Sequence, residues 1–83
     1  MTKPFIYEFQ SLLTDLFFDK FSYQDANQKA KIWYKAVKED LDSKKYTEET
    51  VISALKRLLR KEVYRPSLNH LLSEIDGAKR LYL

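Results

Sequence analysis

At 83 residues with no cysteine, the chain has room for one domain and cannot build a disulfide framework or a cysteine-ligated zinc site. It is 45% hydrophobic and 14% aromatic, enough for one compact core, and no apolar run approaches the roughly 18 residues needed to span a bilayer. The net charge of +3 is uneven: residues 1–28 hold two basic against four acidic residues, and residues 29–83 hold 13 against 8.

Helical periodicity runs through the whole chain, and no alternating stretch bounded by turn residues interrupts it. The expected fold is all-α, a single domain over 1–83 built as a bundle of four short helices at about 4–20, 23–42, 47–61 and 67–82. Pro4 suits the first turn of helix one, where a missing N–H costs nothing. Phe5, Phe9, Leu12, Leu13 and Leu16 form its apolar stripe. Ser22, followed three residues later by Asp25, signals the start of helix two, which carries Ala26, Ala30, Trp33, Val37 and Leu41 on one face. Thr47 caps helix three, with Glu48 and Glu49 at the positive end of its dipole and Tyr46 spaced from Val51 as a hydrophobic staple.

Pro66 holds Arg65 away from helical geometry, so helix three ends before it and Ser67 opens helix four. Tyr64, or Val63 beside it, is expected to plug the core at this corner. Leu68, Leu71, Leu72, Ile75, Ala78 and Tyr82 form the stripe of helix four, with Gly77 expected on the side away from it.

Catalytic and cofactor motifs are missing. One glycine cannot build a phosphate-binding loop, and His70 is the only histidine, so neither a triad nor a histidine metal cluster can form around it. His70 reads as a surface or capping residue, and Glu39, Asp40 and Asp42 as a solvated helix end. No enzyme activity, cofactor or metal is expected. The N-terminus carries acidic Glu8 and no small-residue cleavage site, so no secretory leader is expected and the location is read as cytosolic.

Two surfaces remain as binding candidates. Lys31, Lys35 and Lys38 project together from helix two, and Lys56, Arg57, Arg60 and Lys61 are expected on the side of helix three opposite Leu55. Such faces are either ordinary solvated surface or attract DNA phosphates or an acidic protein. On helix one, Tyr7 and Phe18 fall opposite the apolar stripe, with Phe17 at its margin and Phe21 just beyond the helix. They mark a partner site, or helix one is sandwiched between neighbours, or Phe18 and Phe21 fold over the first corner.

The run "AKIWYKAVKEDLDSKKYTEETVISALKRLLRKEVYRPSLNHLLSEI" resembles the helical domain of the phage replicative-helicase loader/inhibitor family from Gram-positive hosts. The resemblance rests on Trp33 with Val37, on Thr47-Glu48-Glu49 with Ala54-Leu55, and on Tyr64-Arg65-Pro66-Ser67-Leu68. Arg65 stands where the family has the first proline of that corner. The resemblance implies a phage or mobile-element protein, in the cytoplasm of a bacterial host, that binds the replicative helicase or its loader and modulates its loading or inhibits it. The residues expected to touch such a partner are Tyr7, Phe17, Phe18, Lys35, Lys38, Arg57 and Lys61. A small DNA-binding, replication-organising protein using the basic faces is the alternative, and self-association is a third reading; no membrane is involved in any of them.

Overall fold

A computed structural model describes the backbone of residues 1–81 and the side chains of residues 1–79. The described chain is all-α, with α1 at Lys3–Phe17, α2 at Tyr23–Asp42, α3 at Glu48–Lys61 and α4 at Leu68–Leu81. Tyr82, expected on the last stripe, lies outside the described residues. α3 and α4 pack most extensively on each other, α1 lies along α3, and α2 leans on α1. Phe5, Phe9, Leu13 and Leu16 of α1 share one core with Trp33 and Val37 of α2, Leu55 and Leu58 of α3, and Leu71 and Ile75 of α4.

The helix starts follow side-chain chemistry. Thr2, Ser22 and Thr47 each turn an oxygen onto the backbone N–H three residues on, satisfying a donor the helix itself leaves open. Ser67 and His70 do this reciprocally. The Ser67 N–H donates to His70 Nδ1 at 2.9 Å while the His70 N–H donates to Ser67 Oγ at 3.4 Å, a capping box with imidazole in place of a carboxylate. The Glu48 carboxylate accepts from the Thr2 N–H at 2.9 Å and the Thr2 hydroxyl at 3.0 Å, so the positive ends of α1 and α3 meet on one anion.

The corners are made without glycine. Asp19, Lys44 and Glu62 take the left-handed conformation, with φ of 67°, 58° and 51°. α1 therefore stops at Phe17, three residues before the expected end: Phe18 turns extended and Asp19 reverses the chain. The reversal brings Phe21 edge-on to Phe17 at 5.5 Å, and the Lys20 ammonium donates to the Val63 carbonyl at 2.8 Å, lacing this corner to the one before α4.

At that second corner the expectation for Tyr64 is corrected. The left-handed turn at Glu62 swings Tyr64 outward to 78% exposure, with the Arg65 guanidinium over its ring. Pro66 is buried instead, and Val63 packs partly against the core. Gly77 lies off the buried stripe of Leu71, Ile75 and Ala78, and a Cβ there would sit 3.9 Å from an Arg57 guanidinium nitrogen, an ordinary contact.

Glycine is thus absent where a left-handed turn would favour it and present where a helix would not. Gly77→Ala and Glu62→Gly are each expected to stabilise the fold by about 0.5–1 kcal/mol in urea denaturation. Tyr46 supplies a pH test. Burial, and then the hydrogen bond from its phenol to Asp40 at 2.8 Å together with the Asp40 charge, push its pKa well above the ordinary 10.0. The folded protein then keeps a proton that the unfolded chain releases, so this contribution is full below about pH 10 and is lost as pH rises beyond it. Denaturation between pH 8 and 11 should show a steeper alkaline loss for the wild type than for Tyr46→Phe.

Candidate functional site

A concavity with a volume of about 890 Å³ lies between α1 and the N-terminal half of α2. Its origin is a mismatch in side-chain size. α1 presents Phe9, Leu13 and Phe17, while α2 answers with Ala26 and Ala30, which are too small to close the seam. Tyr34 bounds one end, its ring 6.3 Å from that of Phe9, and Phe21 closes the other. Lys29 sits over the Phe21 ring at 4.8 Å and steadies that end.

The rims are exposed aromatic and polar side chains. Phe18 is 69% exposed at the end of α1 and Tyr23 is 84% exposed in the first turn of α2. Both line the groove. Scattered surface apolar residues are normal, but two large aromatics at the mouth of an apolar groove form a patch with a shape. Lys31 lines the α2 rim, and Lys35 and Lys38 continue along the same helix, both exposed. Among the described residues, no carboxylate lies within ion-pair distance of these three lysines.

Several of the expected contact residues move. Phe17 is a correction: it is 3% exposed, packed edge-on against Trp33 at 5.0 Å and against Phe21, so it forms the groove floor and the core together. It is buried because α2 covers the flank of α1 that a lone helical wheel leaves at the margin. Tyr7 is exposed on the outer side of α1 but does not line the groove. Phe18, Lys35 and Lys38 are exposed as expected.

On α3, Lys56, Arg60 and Lys61 are exposed, and three of the four basic residues make contacts within the molecule. Lys56 reaches Glu8 of α1 at 3.5 Å, Lys61 pairs with the nearly buried Glu74 of α4, and Arg57 lies half-buried beside Gly77. The α3 stripe is sandwiched between α1 and α4, so its flanking cations act as struts to both neighbours. Lys61 and Arg57 do not line the groove. Tyr23, Asn27 and Lys31 do. Their sequence signal is the pairing of Ala26 and Ala30 on a face otherwise occupied by large side chains, which marks unfilled space.

Among the described residues, no group of three or more His, Asp or Glu is placed to hold a metal ion, and His70 is engaged as the cap of α4. No family model, curated protein or solved structure matches this chain.

The Lys61–Glu74 pair can be tested directly. Lys61→Ala strips a nearly buried carboxylate of its cation and should cost about 1–2 kcal/mol at pH 7. Lys56→Ala, which breaks an exposed pair, should cost less than about 1 kcal/mol. Equilibrium denaturation of the two variants in urea at pH 7 checks both.

Proposed function

We propose that this chain is a non-enzymatic module that binds a protein partner in the α1–α2 groove. On the resemblance carried by residues 26–75, the partner is the replicative helicase or its loader, whose assembly on DNA the module modulates or blocks. The observation that carries the reading is the groove itself, with Phe18 and Tyr23 held in water at its mouth. Exposed aromatics on a rigid helical frame are the side chains in which interface energy concentrates. The engagement of the one histidine as a helix cap supports a role without catalysis.

The second reading, DNA binding, is favoured by one feature: Lys31, Lys35 and Lys38 stand in a stretch, residues 26–38, that has four lysines and no carboxylate. The lysines of α3 add little to it, because two of them are paired inside the molecule. Three phosphate contacts would give a modest salt slope of about −3 in log–log form.

Titration calorimetry against a purified Gram-positive replicative helicase and its loader tests the main reading. Wild type should bind one of them, and Phe18→Ala with Tyr23→Ala should weaken that binding about tenfold or more while helix content by circular dichroism stays unchanged. Equal binding by wild type and the double variant, or no binding to either protein alongside salt-sensitive binding to duplex DNA, would overturn it.

A further inference from the structure

We infer that the α1–α2 groove is built to take a single amphipathic helix with an acidic flank, an inference that rests on the partner-binding reading and names the shape and charge of what is bound.

The length of the groove suits a helix. It extends along α1 from Phe9 to Phe18, nine residue steps or about 14 Å. Apolar anchors at i and i+7 of a helix lie about 10 Å apart, so a segment with anchors at i, i+3 or i+4, and i+7 fits end to end. The backbone chemistry points the same way. Both walls are helices whose peptide groups are already bonded within themselves, and the floor between them is Phe9, Leu13, Phe17, Ala26 and Ala30. An extended peptide laid there would leave its own N–H and C=O groups without partners, whereas a helix satisfies them internally.

Charge then selects among helices. Lys31, Lys35 and Lys38 follow at spacings of four and three along one edge of α2, all exposed; Lys31 stands on the groove rim, Lys35 and Lys38 lie beyond it, and the one carboxylate lining the groove among the described residues, Asp19, sits at the α1 end beside Phe18. Carboxylates on the flank of a docked helix would complete these cations, and lysines there would meet repulsion. Among the described residues, a second copy of the chain does not supply such a helix. The apolar stripes of α1, α3 and α4 are spent in the core, and α2's exposed apolar residues, Tyr23 and Ile32, are nine positions apart rather than at helical spacing.

The probe is a pair of synthetic 14-residue helical peptides with leucines at i, i+4 and i+7, one flanked by glutamates and the other by lysines. They are titrated by NMR into the full-length ¹⁵N-labelled protein at low salt. The glutamate peptide should shift the amides of Phe18, Tyr23 and Ala30 and bind about tenfold or more tighter than the lysine peptide, the gain summed over three exposed charge pairs. The triple variant Lys31→Glu, Lys35→Glu, Lys38→Glu, which leaves the groove floor intact, should reverse that order.

Equal affinity of the two peptides at those amides would overturn the acidic assignment while leaving the groove as a binding site. Failure of both peptides to move the groove amides would overturn the inference, and helicase binding that still depends on Phe18 and Tyr23 would show that the broader reading survives it. Shifts of the same amides on raising protein concentration alone, with dimer seen in sedimentation, would replace the foreign helix by a second copy.

Discussion

The edge-on contact between Phe17 and Trp33 is the interaction on which the rest of the surface depends. α2 leans on α1 and has no comparable packing against α3 or α4, so this aromatic seam carries much of its attachment. An edge-to-face pair contributes about 0.5–1.5 kcal/mol beyond the area it buries, and it fixes an angle as well as a distance. With α2 pinned at Trp33, and with Ala26 and Ala30 as its nearer contacts toward α1, the two helices hold apart along their shared flank and the groove stays open. A larger side chain at either alanine would convert the same seam into sealed core.

Lysine has two different roles in this molecule, divided by helix. On α3, which is sandwiched, Lys56 and Lys61 reach sideways to carboxylates on α1 and α4 and tie three helices into one block. On α2, which has one open side, Lys31, Lys35 and Lys38 meet no carboxylate among the described residues. Lys31 therefore brings positive charge without an ion pair to the groove rim, and Lys35 and Lys38 extend it along α2. Apolar floor, aromatic mouth and basic rim occur together because α2 is the helix least enclosed by its neighbours.

Much of the architecture is legible in the residues. The helix starts at Ser22, Thr47 and Ser67 could be read because capping is a local affair of one side chain and a backbone N–H three residues away. The stripes of Phe5–Leu16 and Leu68–Ala78 could be read because a 3.6-residue period needs no knowledge of the partner helix. The site was legible only in part. Phe18 stood out as a large apolar residue off the stripe, but Phe17 was placed on the wrong side of the boundary between core and surface, and Tyr23, at the start of helix two, carried no signal of its own.

What the sequence determined by itself was the number of helices, where they begin and which face of each is apolar, since these follow from short-range sterics, capping and periodicity. What only the tertiary structure decided was which flank of each helix a neighbour covers. That choice buried Phe17 and exposed Tyr64, turned the α3 cations into struts and left those of α2 free. The physical reason is that a left-handed turn of one residue at Asp19 or Glu62 redirects everything after it, while the packing that rewards the turn lies tens of residues away.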